Sequence, residues 1–392
     1  MRQLKEEVLS RQVAEILPTK KGLESLMKKR RIRLYLGIDP TGSNLHLGHT
    51  VPLRKIQQFA DLGHEVILII GTGTVLTGDP SQNARGRNRI TEKEIAKNMK
   101  TWKKQASKIL DFSKVKIKKN GDWLKKLRLP EIIEIASNIS ATQLFKRDMF
   151  QERIKRGDTV WTHETLYPLL QGYDSVYLDV DLEVGGTDQV FNMLIGRQLQ
   201  QKMNKREKFV LTVPMIMGLD GKTMSKTSQN TVNLTDSPKE MFGKIMSLRD
   251  ELIIEYFTMC TDVPLKEIQV MEKDIKTKKI SPRDIKAKLA TTIVRMYHTK
   301  TAAKKAGKEF ISVFQERNLP KDIQKIKVPA STTLPAVLIK AKLASSKSEA
   351  RRLISQGGVK IDGEVVKDGK STVKFKKGVV IQVGKRRFVQ IS

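Results

Sequence analysis

Two histidines three residues apart, His46 and His49, close the stretch L-Y-L-G-I-D-P-T-G-S-N-L-H-L-G-H from Leu34 to His49. The whole chain holds only five histidines, so a pair in one turn asks for a chemical reason. Three chemistries fit. Two imidazoles could ligate a metal, but a zinc site needs further ligands and none is apparent nearby. They could be solvated surface side chains. They could also face a nucleotide phosphate. The turn Asp39-Pro40-Thr41-Gly42-Ser43 lies at the carboxyl end of an apolar strand, where an open α/β sheet binds nucleotides. A helix N-terminus there offers N–H donors and positive potential. The setting favours phosphate.

Three other clusters carry possible chemistry. Gly221-Lys222-Thr223-Met224-Ser225-Lys226-Thr227 is a polar loop with two lysines. It lacks P-loop spacing, but a mobile lysine loop can close over a triphosphate and stabilise developing charge. Tyr167, Gln171 and Asp174 lie four and three residues apart, hence on one helix face. Packing accounts for a tyrosine there but not for the Gln and Asp that follow; a polar stripe in an apolar helix suggests a pocket with fixed hydrogen bonds. Gly185-Gly186-Thr187-Asp188-Gln189 is either a simple turn or a close approach of backbone to nucleotide, with Asp188 on ribose hydroxyls.

The elements that must hold these residues follow from the apolar runs. Residues 1–33 read as helical and charged. Leu34–Ile38 is a strand, a helix begins near Gly48–Thr50 with Pro52 in its first turn, and Val66–Ile70 is a buried strand. Strand, helix, strand predicts an α/β fold with a doubly wound parallel sheet. Residues of about 90–157 read as a helical insertion. Asp181–Val184 and Phe209–Val213 are further strands, 238–314 is helical, and 321–331 is a linker. The segment 332–392 carries fourteen Lys/Arg against four Asp/Glu. It predicts a small α+β module whose Ser346–Glu349 capping box opens a basic helix with Lys347, Arg351 and Arg352.

Composition agrees with a nucleic-acid partner: 74 Lys+Arg against 42 Asp+Glu give a net charge of +32. The single cysteine, Cys260, excludes an internal disulfide and a cysteine-cluster zinc site. Neither a signal peptide nor a run of about 18 apolar residues is present, so a cytoplasmic protein is expected, with no membrane partner.

Together these clusters resemble the class I aminoacyl-tRNA synthetases. H-L-G-H is similar to that class's HIGH motif and T-M-S-K-T to its KMSKS loop. The details resemble the bacterial-type tyrosyl family: L-Y-x-G-x-D-P-T at Leu34–Thr41, G-D-P-S at Gly78–Ser81, Y-x-x-x-Q-x-x-D at Tyr167–Asp174, G-G-[ST]-D-Q at Gly185–Gln189, and an S4-type tail. The resemblance implies a Rossmann-like catalytic domain (1–230, insertion at about 90–157), an α-helical anticodon-binding domain (231–325) and an S4-like RNA-binding domain (332–392). It implies a tyrosine–tRNA ligase and a homodimer built through the insertion. ATP is implied as a substrate arriving with Mg²⁺, with no tightly bound metal site.

The family also implies roles. Tyr35 and Asp174 would hold the phenol hydroxyl of tyrosine. Asp79, Tyr167 and Gln171 would hold its ammonium, Gln189 would lie near its carboxylate, and Asn120 would support the network. Thr41, His46, His49 and Lys226 would act on ATP phosphates, with Gly37, Asp39, Gly48, Gly186, Asp188 and Met224 around the nucleotide. The family has lysine where Thr223 stands; Lys222, one place earlier, is the candidate replacement. Lys146, Arg147, Arg153, Lys155 and Arg156 are expected to meet the acceptor arm of tRNA. Tryptophanyl relatives, nucleotidylyltransferases and a non-catalytic RNA-binding protein are the rival readings. The tyrosine pocket opposes the first two, and both histidines, Lys226 and the full tyrosine pocket oppose the third.

Overall fold

The apolar runs become the centre of a six-stranded sheet: β1 (Glu15–Leu17), β2 (Arg33–Ile38), β3 (Glu65–Ile70), β4 (Val115–Lys119), β5 (Leu182–Gly186) and β6 (Phe209–Val213). Their order is β1-β6-β5-β2-β3-β4. All are parallel except β1, which runs antiparallel to β6. The computed structural model describes residues 7–79, 91–224, 230–314, 323–329, 331–366, 372–384 and 387–392. It divides into two units, Met1–Lys300 and Thr301–Ser392.

Helix α1 (Leu47–Asp61) joins β2 to β3, α2 (Thr162–Leu178) precedes β5, and α3 (Val190–Asn204) joins β5 to β6. The sheet therefore winds outward in two directions from the β2–β5 pair. That pair is the switch point, and the loops at its carboxyl end form the crevice where such sheets bind ligands. Helices α2 and α3 cross closely because Gly172 and Gly196 face each other; a Cβ on Gly172 would lie 3.1 Å from the Gly196 backbone.

Three expectations need correction. Residues 1–33 are not helical throughout: Glu15–Leu17 adds an edge strand registered on Val210–Thr212. The insertion is not purely helical, since β4 extends the sheet beyond β3. Its sequence V-K-I-K-K hides the strand, because an edge strand can expose lysines and needs little apolar surface. The stretch read as a linker contains β7 (Gln324–Ile326), which pairs with the last strand of the second unit.

After β6 the first unit continues as α4 (Pro238–Met246), α5 (Ile253–Cys260), α6 (Leu265–Lys276) and α7 (Pro282–Tyr297). Ser237 and Ser281 cap α4 and α7. Helix α5 packs on α1. Arg11 seals the end of α5 by donating to the carbonyls of Phe257, Thr258, Thr261 and Val263. Beneath α1, the buried Lys55 ammonium donates to the carbonyls of Val8 and Arg11 and to Gln58.

The second unit holds a five-stranded sheet in the order β10-β9-β12-β13-β7, made by β9 (Val359–Ile361), β10 (Glu364–Val365), β12 (Val380–Val383), β13 (Arg387–Ile391) and β7. The expected hairpin at Asp362-Gly363 is present, both residues having positive φ. Strands β8 (Ser331–Thr333) and β11 (Thr372–Lys374) form a separate antiparallel pair. Helix α8 (Leu334–Lys340) and the basic helix α9 (Lys347–Ser355) pack together. Ala350 and Ile354 face the core of this unit, which leaves Lys347, Arg351 and Arg352 exposed on the opposite side of α9.

Candidate active site

The histidine turn is fixed by its own side chains. His46 is the N-cap of α1, and its Nδ1 accepts from the Gly48 N–H at 3.2 Å. His49 Nδ1 accepts from the His46 N–H at 3.1 Å. The rings lie 3.9 Å apart, centre to centre. A neutral imidazole that accepts at Nδ1 carries its proton on Nε2, so both rings present a donor. The amides of Leu47 and His49 bond to the carbonyls of Val232 and His46. The N–H groups of the first turn, expected to point at a phosphate, are thus engaged locally, and the imidazoles are the donors the turn offers.

Two neighbours hold this turn from outside. Gln105 accepts from the Leu45 N–H and donates to the Ser43 carbonyl, each at 2.8 Å. Trp102 Nε1 donates to the Gly42 carbonyl and Asn98 to that of Pro40. All three come from helices Glu92–Met99 and Trp102–Ala106 or the residues that join them. From the other side, the segment after the lysine loop pairs antiparallel with the turn: His46 bridges Asn233, and Leu234 N–H bonds to the Leu45 carbonyl at 2.8 Å. At the loop's near end, Met217 bridges Thr223, and Asn230 donates to the Thr223 carbonyl and to Asp220. The Met224 sulfur would lie 3.1 Å from a Cβ on Gly48. Lys222 is exposed in this base. Lys226 lies outside the described residues, as does Pro80-Ser81.

The helix stripe meets the sheet. Asp174 is buried and accepts from Asn120 Nδ2 at 3.0 Å and Trp123 Nε1 at 2.9 Å. Burial pushes its carboxyl well up, and these two bonds oppose the shift. Tyr167 donates to Asp39 at 3.0 Å, and Asp39 also accepts from Thr74 at 2.8 Å. A Cβ at Gly71 would collide with Asp39 at 1.8 Å, so glycine is required for this carboxylate to sit there. Asp79 accepts from Gln189 at 2.9 Å and pairs with Arg147 at 3.7 Å. Gln171 donates to Glu183 at 3.0 Å. Asp188 lies beside Gln189, after Gly186 at the end of β5. Gly37 is exposed at the end of β2 with open space where a Cβ would lie.

Some expected partnerships are not made. Tyr35 does not bond to Asp174; its fully buried hydroxyl meets Ser175 Oγ at 3.0 Å and the Gln171 carbonyl at 3.4 Å. Arg147 and Arg153 are not available to RNA: both are buried, Arg147 against Asp79 and the rings of Phe150 and Phe191, and Arg153 against Glu164 at 2.9 Å. Lys146, Lys155 and Arg156 remain exposed. Sequence reasoning missed Trp123, Glu183, Lys208 and Arg147 as parts of the site. Glu183 carried a usable signal, since a lone carboxylate in an apolar central strand must find a partner. Cys260 is buried in α5 and its thiol is pushed up to about 12 by burial. Among the described residues no cluster of three or more His, Cys, Asp or Glu is placed to hold a metal ion.

Comparison with known proteins fits this geometry. Residues 27–315 match the family described as tRNA synthetases class I (W and Y), and residues 333–380 match the S4 domain. The chain is 43% identical over 386 residues to the tyrosine–tRNA ligase of Thermotoga maritima, covering 98% of this chain and 96% of that protein. The chain belongs to the class I tyrosine–tRNA ligase family. A tyrosine–tRNA ligase of Moorella thermoacetica is likewise 43% identical, over 98% of this chain and 94% of its own. The fold is shared with the tyrosyl-tRNA synthetase of Archaeoglobus fulgidus solved with L-tyrosine, at a TM-score of 0.63, 20% identity and coverage of 78% of this chain and 99% of that one. As a member of this family the chain is an aminoacyl-tRNA ligase with an S4 domain, and the family implies ATP as a substrate.

Proposed function

We propose that this chain activates L-tyrosine with ATP, giving tyrosyl-adenylate and pyrophosphate, and then transfers tyrosine to the 3′-terminal ribose of its tRNA. The observation that carries the reading is the buried Asp174, held by Asn120 and Trp123 in the crevice that also contains the Tyr167–Asp39 and Gln189–Asp79 pairs. A buried acceptor of this kind suits a phenol hydroxyl as a further donor; phenylalanine forgoes that bond, at a cost of about 1–3 kcal/mol. Tyr35 forms the floor of that pocket. The ammonium falls to Asp79, Tyr167 and Gln171, and the carboxylate lies toward Gln189.

The tyrosine carboxylate is already ionised, so attack on the α-phosphorus needs no general base. The work is alignment and stabilisation of the departing pyrophosphate. His46, His49, Thr41 and Lys226 supply donors, with Lys222 beside the Thr223 position. Gly37, Asp39, Gly48, Gly186, Asp188 and Met224 surround the nucleotide, and Mg²⁺ enters with ATP. The helical segment 231–325 and the S4-like segment 332–392, through Lys347, Arg351 and Arg352, bind tRNA. Exposed Leu129, Ile132, Ile133 and Ile154 on the insertion, with Trp161 just after it, support a homodimer through that surface. No helix among the described residues is long and apolar enough to cross a membrane.

ATP–pyrophosphate exchange with each of the twenty amino acids tests this. Tyrosine alone should drive strong exchange. Exchange with tryptophan but not tyrosine overturns the substrate assignment, and tRNA binding without any exchange favours the non-catalytic RNA-binding protein.

A further inference from the structure

Behind the tyrosine pocket lies a buried ion pair that the mechanism does not use. Lys208 is 0% and Glu183 2% exposed, and Lys208 Nζ contacts a Glu183 carboxylate oxygen. Lys208 also donates to Ser175 Oγ at 2.8 Å. Room for the ammonium comes from a missing side chain: a Cβ on Gly196 would lie 2.6 Å from Nζ. Isolated ion pairs of this sort are a weak source of stability, because desolvation offsets the Coulomb attraction. Its placement suggests a different use. Glu183 stands opposite Tyr35 in the β2–β5 register, and its other oxygen accepts from Gln171 Nε2 at 3.0 Å.

An ionised carboxylate has no proton to donate. It therefore accepts only the NH₂ end of the Gln171 amide and turns the oxygen the other way. That oxygen, Oε1, is buried and without a hydrogen-bond partner among the described residues. A substrate ammonium is purely a donor, so it needs this end of the amide and not the other. We propose that Glu183 and Lys208 are a positioning pair that fixes Gln171 with its oxygen toward the α-ammonium of tyrosine. Lys208 engages one oxygen of Glu183, and Glu183 sets the amide with the other. The inference rests on the reading that Gln171 faces the substrate ammonium.

The test compares equilibrium binding of L-tyrosine with that of 3-(4-hydroxyphenyl)propionate, which lacks only the amino group, using the full-length protein. In Glu183→Gln either end of the new amide can face Gln171, so the orientation is no longer enforced. Tyrosine affinity should fall roughly tenfold, as for one lost hydrogen bond to a charged group, while the deaminated analogue changes less than about twofold. KM for ATP should stay within about the same factor. In a Gln171→Ala background the Glu183→Gln change should add nothing. Equal losses for both ligands, or no loss for either, overturn the proposal and leave the pair a structural one. If Gln171→Ala itself leaves the tyrosine-to-analogue ratio unchanged, the ammonium reading fails instead. Should Glu183→Gln not fold, the doubly neutral Glu183→Gln/Lys208→Met variant carries the same comparison, with the same ratio expected to fall.

Discussion

At His49 one ring does two jobs. It holds the His46 amide through Nδ1, and by doing so it fixes the tautomer that presents Nε2–H. His49→Ala removes both, so adenylate formation should slow by roughly ten- to a hundredfold, the worth of one hydrogen bond to a charged group. Pre-steady-state kinetics measures that rate; tyrosine affinity by equilibrium binding should be nearly unchanged, and a large loss there refutes the phosphate assignment. Asp174→Ala should narrow the preference for tyrosine over phenylalanine by at least about tenfold in pyrophosphate exchange, since the phenol loses its acceptor. An unchanged ratio removes Asp174 from that role. The stripe Tyr167, Gln171 and Asp174 was legible because helical spacing alone places three residues on one face. Trp123 and Glu183 were not legible as their partners, because spacing along one element says nothing about which residue another element brings opposite. Tyr35 marks the same limit: the resemblance set it beside Asp174, but nothing in the sequence showed that its hydroxyl meets Ser175.

Among the elements, the short helices between Glu92 and Ala106 brace the phosphate turn. Gln105→Leu strands the Leu45 N–H and the Ser43 carbonyl, a loss of about 1–3 kcal/mol at the turn. KM for ATP should rise several-fold while tyrosine binding holds; steady-state kinetics against each substrate separates the two. The underside of α1 makes a different prediction. Burial, with help from Arg11 and Arg54 and against Glu7, lowers the Lys55 ammonium to about 7. Below that pH both folded and unfolded chains are protonated and the cost of the buried charge is fully present. As pH rises from 7 toward the unfolded value, the folded state sheds a proton the unfolded chain keeps, so stability increases. Between pH 6 and 9 the wild type should gain roughly 1–3 kcal/mol relative to Lys55→Met in denaturant melts. The strands β2, β3, β5 and β6 were readable as apolar runs. The three-residue β1 and the lysine-rich β4 were not, because each owes its place to a neighbour's free edge and not to its own pattern.

Across the whole molecule, the charge of +32 finds one defined outlet in the exposed face of α9. Replacing Lys347, Arg351 and Arg352 together by alanine should weaken tRNA binding. It should also flatten the plot of log affinity against log salt by roughly two to three units, about one per lost phosphate contact. Filter binding at several ionic strengths measures this. Adenylate formation without tRNA should be untouched, since the helix belongs to a separate unit from the sheet. Charge counting pointed correctly to nucleic acid but misassigned Arg147 and Arg153, which composition cannot distinguish from surface cations. Both proved to be counter-ions inside the catalytic unit.

The antiparallel pairing of Leu45–Leu47 with Val232–Leu234 also bears on how the enzyme is born. Synthesis delivers all six strands of the sheet by Val213, and with them nearly every polar group of the tyrosine pocket. The histidine turn is still missing one edge at that moment. Its partner leaves the ribosome only after the lysine loop has been made. A nascent chain therefore completes its amino-acid pocket before its phosphate site, and the last piece added to the catalytic centre fastens the first.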